Sequence, residues 1–458
     1  MLREIIWREL LDHLQSLRFA LTLVLVIVLM LTGGMLYVHD YHQQVADYRE
    51  NVNANLNLLK DKAQRGLYRV VSWRPTQLIY RSPSPLGFIA EGREKDLPNA
   101  FGVDAFELVG PQTILRRNYT LQRFDALDWV FIVGVILSFA AFAMTYDSIS
   151  GETETGTLRL CLSNSLPRAT LLFGKYIGTM ASLAIPLIIG ICMNTLIIVL
   201  FGIAPLESTY WLQIGGVVLF SVLYISVFST LGLFISCLTK TSSVSLVLLL
   251  LIWVCCAVFI PRTGGLLASR LTELPDEKTV ARRAGDAMRD IREGYAYTGR
   301  FSARWSPGEP LTRSANIGDA QQAIYNEYRN QQLHQVKFAQ NISRISPTAI
   351  YQIGCESLVG TGIKHYDRFF KKAIEYRRSL LQFTYEEYPF NPHPFLTDEE
   401  RSELGELNIS LDRIPKFADT LSDFPTAFAE ASLDILLLFL FNLVFFMGAL
   451  LAFMRYEL

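Results

Sequence analysis

Six stretches of this 458-residue chain contain no Asp, Glu, Lys, Arg or His: 19–38, 129–146, 176–201, 211–236, 244–261 and 435–454. Each is 18 to 26 residues long. At about 1.5 Å per residue, a helix of that length crosses most or all of a hydrocarbon core about 30 Å thick. Inside hydrocarbon, backbone amides find no partners but each other, so such stretches fold as helices. This points to an all-α polytopic membrane protein with six transmembrane helices. Charged residues are only 19% of the chain, against about one quarter in soluble domains. The deficit sits in these six stretches, which excludes a soluble enzyme and a disordered chain. The net charge of −1 leaves no basic footprint for nucleic acid.

The first stretch reads as a retained anchor. Its 20 residues exceed a secretory h-region of about 7–15, and no small-residue cleavage site follows Gly33-Gly34-Met35-Leu36. Five of the six cysteines lie in or beside the apolar stretches, and only Cys355 falls in a large hydrophilic region. The hydrophilic regions therefore have no disulfide framework of their own.

Short and long hydrophilic pieces alternate, and only the short ones bear on orientation. Arg3, Arg8, Arg18, Arg159, Arg168, Lys175, Lys240 and Arg455 fall on one side, whereas the short loop 202–210 on the other side has no Lys or Arg. Both termini are therefore expected in the cytoplasm. The insertions 39–128 and 262–434 are expected outside, in a multi-pass protein of the cytoplasmic (plasma) membrane, bacterial in type. Trp129, Tyr146, Tyr176, Tyr210, Trp211 and Tyr456 fall at span ends, as an aromatic belt does.

Within residues 1–18, Ile6, Leu10, Leu14 and Leu17 line one side of a helix over 3–18. It is expected to lie in the inner membrane interface; the alternative is the start of one long tilted first helix. In the first insertion, 40–66 looks helical, and Leu67–Tyr80 and Phe101–Leu121 suggest short strands. The second insertion is expected to be mainly helical, over Asp276–Arg292, Asp319–Ile342, Pro347–Leu358 and Ile363–Tyr385. Tyr366, Phe369, Phe370, Ala373, Ile374, Leu380 and Leu381 trace an apolar stripe along the last of these, more consistent with a domain core than with a ligand site.

No apolar stretch contains an ionisable residue, as an ion-coupled carrier would need. The polar residues within them, Asn194, Thr195, Gln213, Ser226, Ser229 and Asn442, suit interhelical hydrogen bonds. Asn194, Gln213, Ser226 and Asn442 are also the candidates for substrate contact. Gly151-Glu152-Thr153-Glu154-Thr155-Gly156-Thr157 has phosphate-loop spacing, but it lacks the required Lys and does not follow a core strand. His39 and His42 offer two ligands, which do not make a metal site. No catalytic residue, metal or cofactor is expected in this chain.

The informative segment is 147–175, between the second and third spans. Glu152 and Glu154 suit the start of a short helical stretch over 153–162, where the helix dipole favours negative charge. Ser163 or Ser165 can cap a second short helix, with Pro167 in its first turn and Arg168, Leu171 and Leu172 on it. A short helix across the mouth of a membrane bundle can transmit a push from a soluble partner.

The acidic-Gly-Thr-Leu pattern of this loop resembles the type-2 ABC exporter permeases. The large-ectodomain branch, with the permeases of nitrous-oxide-reductase maturation and gliding motility, is the nearest resemblance. Ser84-Pro85-Leu86-Gly87-Phe88-Ile89-Ala90-Glu91-Gly92 and Ser346-Pro347 with Leu358-Val359-Gly360-Thr361-Gly362 resemble stretches of that branch's two outer domains, Val359 and Gly362 departing from its pattern. The resemblance implies a dimer of permease chains, homomeric or heteromeric, with two separate ABC ATPase subunits that bind ATP and Mg. It implies a coupling helix at 163–173 and an amphipathic connecting helix at 3–18. Asp147, Glu152, Glu154, Gly156, Thr157, Arg159, Ser165, Pro167, Arg168, Leu171 and Leu172 become the residues that couple to the ATPase; for the charged ones, a solvated loop is the plain alternative. Three functions stay open: export or flipping of a substrate, mechanotransmission to an extracytoplasmic protein, and a membrane-anchored receptor or scaffold with no ATPase.

Overall fold

The amphipathic start and the first apolar stretch form two helices, α1 (Leu2–Leu14) and α2 (Leu17–Gln64). Ser16 breaks the run: its Oγ accepts from Phe19 N at 3.2 Å and caps the second helix. The alternative of one long first helix is therefore not what forms. The structure, a computed structural model, describes residues 2–64, 70, 77–91, 99–103, 105, 108–112, 127–159, 167–203, 208–296, 309–387, 409–419 and 423–455.

Helix α2 continues past the expected span end at 38 as one 48-residue rod, about 72 Å long at 1.5 Å per residue. Beyond it, β1 (Gln77–Tyr80), β2 (Ala100–Val103) and β3 (Leu108–Gln112) make an antiparallel sheet in that order, Ile79 opposite Phe101. Of the remainder of the expected strand regions, Val70 is helical and Ala105 sits in a bend, and the other residues lie outside the described ones. The second span, α3, runs through Trp129–Phe131, a π-helical segment Ile132–Leu137, and Ser138–Thr145. A short helix α4 (Ser150–Glu154) follows. The third and fourth spans are α5 (Arg168–Leu200) and α6 (Ser208–Leu238). The fifth, α7 (Ser242–Leu271), carries a π-helical segment at Val254–Phe259. The second insertion supplies α8 (Glu277–Ala296), α9 (Glu309–Ser343), α10 (Pro347–Val359) and α11 (Gly362–Glu387). The last span is α12 (Phe424–Met454). Among the described residues, six helices are thus long and apolar enough to cross a membrane.

Spans one, three, four, five and six run further than their uncharged stretches. One consequence is a correction: α12 contains Asp434, one residue before the stretch at 435, and it is fully buried. Arg344 compensates its charge, Nε donating to Oδ1 at 2.6 Å and Nη2 to Oδ2 at 3.1 Å.

The two insertions share one core. Leu59 and Ala63 from the far end of α2, Ile79, Phe101 and Val103 from the sheet, and Tyr366, Phe369, Phe370, Ala373 and Leu380 from α11 pack together. The apolar stripe of α11 is thus a core face. A second correction concerns α10. Its sequence places it in a hydrophilic insertion, yet Ile350, Tyr351, Cys355 and Leu358 are buried in the core of the membrane bundle, against Phe220 and Tyr224 of α6. A 13-residue helix is too short to span, so length hides it among the extramembrane helices. Cys355 therefore belongs with the other cysteines, near the spans.

The turn at 85–89 seals this end of the bundle. Tyr37 OH donates to Ser84 O at 2.6 Å, Phe88 packs edge-on to Trp129, and Thr361 Oγ1 donates to Ala90 O at 2.7 Å. The two stretches that carry the outer-domain resemblance thus meet each other. Asp128 caps α3 beside them, accepting from Phe131 N at 2.8 Å and Glu91 N at 3.1 Å. Burial raises its carboxyl to about 7, and the charges of Glu91 and Glu356 add to the rise while the two backbone bonds oppose it. A folded-state value above the unfolded one favours the protonated fold. This contribution is fully present below about pH 4 and is lost as pH rises through about 7. The thermal midpoint of the purified chain should therefore fall between pH 5 and pH 8, and Asp128→Asn should flatten that slope. An unchanged slope in the variant would refute the assignment.

Candidate functional site

Helix α1, the end of α12 and the described parts of the junction, 147–159 and 167–175, lie at the end of the bundle opposite the insertions. The junction opens with a turn over 146–149 and the single turn of α4. Thr155 closes α4, and Gly156 follows at φ +75°, a left-handed position that favours glycine. Its N–H donates to Thr153 O at 3.2 Å. Thr157 Oγ1 donates back to Glu152 O at 3.3 Å, and residues 157–159 are helical again.

The three carboxylates of this short segment go to three different spans. Asp147 accepts from Arg18 of α2 at 2.9 Å. Arg18 also donates to Ala143 O and Tyr146 OH, and its guanidinium stands over the Tyr146 ring. Glu152 pairs with Lys175 of α5 at 2.8 Å. Glu154 accepts from Ser242 N at 3.1 Å and Ser242 Oγ at 3.0 Å, capping α7 where Thr241 makes no side-chain cap. Two further ties complete the junction. Ser236 Oγ of α6 accepts from Ile149 N and Ser150 N, each at 3.0 Å. Arg168 donates to Phe453 O and Met454 O at 3.1 and 2.8 Å, on the last carbonyls of α12. Beneath these bonds lies a small core of Ile149, Leu158, Leu171, Leu172, Leu233, Cys237, Ala449 and Phe453.

Helix α1 enters the same network because α5 lets it come close. A Cβ on Gly174 would stand 2.6 Å from Ile5 Cγ2, and one on Gly178 would stand 2.7 Å from Glu9 Cβ. This close approach brings Glu9 Oε2 to 3.2 Å from Lys175 Nζ. Lys175 is only 6% exposed and holds both Glu9 and Glu152. His13 is 3.6 Å from Glu9 and 3.3 Å from Thr179 Oγ1. Burial raises the Glu9 carboxyl, but the His13 bond and the Lys175 charge outweigh it and hold the acid below its ordinary range.

The candidate residues fall into distinct roles. Asp147, Glu152, Glu154 and Arg168 are interhelical ties, Gly156 forms the turn, and Thr157 and Arg159 are exposed at the tip. Leu171 and Leu172 are buried in the junction core rather than presented outward. Ser165 lies outside the described residues. A separate helix over 163–173 is not what forms: residues 168–173 are the opening turns of the 33-residue α5, and Pro167 sits extended just before it. Nothing after Pro167 interrupts the helical run, since Gly174 serves close packing rather than termination. The first stretch, expected over 153–162, begins earlier, at Ser150, and bends at Gly156; 160–166 lies outside the described residues.

Of the substrate candidates, Asn194 receives Trp129 Nε1 at 3.0 Å and donates to Met30 O at 2.6 Å, joining spans one to three. Ser226 bonds both Tyr176 OH and Asn442 Nδ2, joining spans three, four and six. Gln213 is buried near the insertion end of α6. Arg18 and Lys175 read in the sequence only as orienting charges. Glu9, Ser236 and Ser242 have no local signature, whereas Gly174-x-x-x-Gly178 is a legible sign of close helix contact.

A family model described as "ABC-2 family transporter protein" matches residues 3–458. No curated protein matches the chain.

Lys175 is the keystone of the junction by geometry, so its removal strands two carboxylates. Lys175→Met should cost about 3–5 kcal/mol, the range for breaking a buried ion pair. Adding Glu9→Gln and Glu152→Gln should recover much of the loss. Thermal unfolding of the single and triple variants in detergent measures both, and a triple variant no more stable than Lys175→Met would contradict the account.

Proposed function

The chain belongs to the ABC-2 family of transporter proteins, and on that premise we propose that it is the permease subunit of an ATP-driven exporter or flippase. Two such chains pair with two ABC ATPase subunits, which bind ATP and Mg, in the cytoplasmic membrane. The end bearing the termini faces the cytoplasm, in keeping with the concentration of arginine and lysine in its short loops. The single observation that carries the proposal is the division of labour among Asp147, Glu152 and Glu154. Each is fastened to a different span, and Ser236 and Arg168 fasten two more. A force applied at the tip is therefore delivered to spans one, three, four, five and six together.

The surface that receives the force is the exposed rim of the junction: Thr155, Gly156, Thr157, Arg159, Pro167, Ala169 and Phe173. Phe173 is 43% exposed and offers an apolar anchor beside the polar tip. The coupling element is in this reading a bent tip plus the opening turns of α5, not a free-standing helix. The resemblance to the large-ectodomain branch supports a specialised exporter of that kind.

Mechanotransmission is the second reading, favoured by α2. This unbroken rod runs from Arg18, which is tied to the junction, to Leu59 and Ala63 in the core of the insertion domain. A tilt of α2 imposed at one end reaches the domain at the other, where an extracytoplasmic protein can receive it.

The test is co-purification with an ABC ATPase subunit co-expressed from the same genome, followed by ATPase assays in proteoliposomes. Arg159→Glu should lower permease-dependent ATPase stimulation by about tenfold, the effect of roughly 1.4 kcal/mol at a partner interface, and leave the thermal midpoint unchanged. Leu171→Ala should instead lower the midpoint, because a buried Leu→Ala costs about 2–5 kcal/mol. Normal coupling with a bulky insertion at 156–157 would exclude this rim as the ATPase contact. Movement of substrate across the liposome membrane separates export from mechanotransmission.

A further inference from the structure

Helices α5 and α12 touch at the junction end of the bundle and part toward the insertion end. Where they touch, Phe446 of α12 packs edge-on against Phe173 and Tyr176 of α5, with ring centroids 5.8 and 5.6 Å apart. Further along, α5 turns to the first span: a Cβ on Gly190 would stand 2.9 Å from Val26 Cγ1, and Asn194 donates to Met30 O. Helix α12 goes to the other side. There Phe424 lies beside Gly216 of α6, and a Cβ on Gly354 of α10 would stand 3.3 Å from Asp434 Cβ. Between the two helices a strip of α6 is left facing the bilayer. It consists of Leu212, Gly215, Leu219 and Val222, which share one helical face. Leu219 is 74% exposed and a Cβ on Gly215 would meet nothing within 4 Å, although α6 is the most buried of the six spans.

The strip ends on polar groups. One turn beyond Val222 on the same face, Ser226 is buried between Tyr176 and Asn442. Its Oγ accepts from Asn442 Nδ2 and lies 2.5 Å from Tyr176 OH. Asn442 is seven residues into the sixth apolar stretch, about 11 Å from its insertion end at 1.5 Å per residue. It is half-buried, and its Oδ1 takes no bond from the described residues. A polar atom in hydrocarbon without a partner is costly. Tying three spans together accounts for one N–H of the amide and leaves its carbonyl with nothing to do. The stretches that bound this groove, 176–201, 211–236 and 435–454, contain no Asp, Glu, Lys, Arg or His. A phosphate or ammonium placed here would be a buried charge with no counter-ion. A hydroxyl fits, since it can donate to Asn442 Oδ1 and accept from the second N–H of the amide.

We propose that the groove between α5 and α12 binds an amphipathic molecule with an uncharged, hydroxyl-bearing head. The head bonds Asn442 part-way across the bilayer, beside Tyr176 and Ser226. Its apolar chain lies along the strip from Leu212 to Val222. The groove opens onto hydrocarbon, so such a molecule enters sideways from the bilayer without passing through water. This names a substrate class for the exporter and rests on that reading for transport; the binding site itself does not.

The probe is a diacylglycerol with a photoreactive diazirine on one acyl chain, present at trace level in phosphatidylcholine vesicles that hold the full-length chain. After illumination, adducts are mapped by mass spectrometry. Labelling of α7 at Val247–Leu251, which also faces the bilayer, measures bulk lipid. The groove predicts adducts concentrated on Leu212–Ser226 relative to that face. Asn442→Leu should lower this excess by about tenfold, the effect of one lost hydrogen bond. Val222→Trp should abolish it by filling the groove, with the thermal midpoint unchanged because Val222 faces the bilayer. Equal labelling of the two faces would overturn the proposal, as would an excess that survives both substitutions. Capture of a phosphatidic acid with the same chains as efficiently as the diacylglycerol would overturn the uncharged head. Photoproducts joining two chains through the strip would assign it to a second copy and overturn the site. With the partner ATPase bound, ATP should deplete the adducts; capture that ATP leaves unchanged would keep the binding site and overturn its part in export.

Discussion

A lysine ammonium shut away from water is tolerable only while its partners stay in place, and Lys175 has two. Removing an ion from water costs several kcal/mol, and direct pairing offsets the cost only at short range. Glu9 and Glu152 supply that pairing from two elements outside α5. Any relative displacement of α1, α5 or the junction therefore exposes or strands a charge. The three elements are bound to move as one body. The glycines at 174 and 178 are the condition for it, since any side chain there would hold α1 too far away for Glu9 to reach.

The remaining ties follow the same logic at lower intensity. They engage helix ends, where backbone groups lack intrahelical partners. Glu154 fills that vacancy at the start of α7, and Arg168 fills it at the end of α12. Polar bonds are thus spent where the helices need them anyway, and the same bonds connect spans that share few charged side chains. Between the two ends, contact depends on small and apolar residues. Gly232 faces Thr145 so closely that a Cβ there would collide with its hydroxyl. Motion imposed on the junction passes into the bundle through such rigid contacts, because a packed interior has little room to absorb it.

The spans were legible because hydrocarbon tolerates so few alternatives. Their true lengths were not, because a helix that leaves the membrane meets no penalty for continuing in water; α2 and α7 both continue. The helices of the second insertion were legible from apolar periodicity, and α11 packs its predicted stripe. Helix α10 was recognised as a helix and misplaced. Its burial depends on which surfaces meet in three dimensions, and Gln352 and Glu356 give it enough polarity to resemble its hydrophilic neighbours. At the junction, the acidic residues drew attention through a resemblance, but their partners could not be read. Asp147 and Arg18 are separated by more than a hundred residues, and an exposed loop and a tied one have the same composition. Leu171 and Leu172 were placed on a short helix of their own because the resemblance ends the coupling helix at 173, whereas α5 continues through Gly174 without a break.

Helix α3 connects the two unusual features of the molecule. It begins at the Asp128 cap beside the turn at 85–89, carries the π-helical segment Ile132–Leu137 against α10, and ends at Thr145, two residues before Asp147 of the junction. Its upper half is irregular and its lower half, Ser138–Thr145, is regular and clamped against Gly232. Ser138 stands at the boundary, its hydroxyl bonded to Gly134 O and receiving Trp253 Nε1 from α7. A single hydroxyl thus ties Gly134, inside the first π-helical segment, to Trp253, the residue that precedes the second.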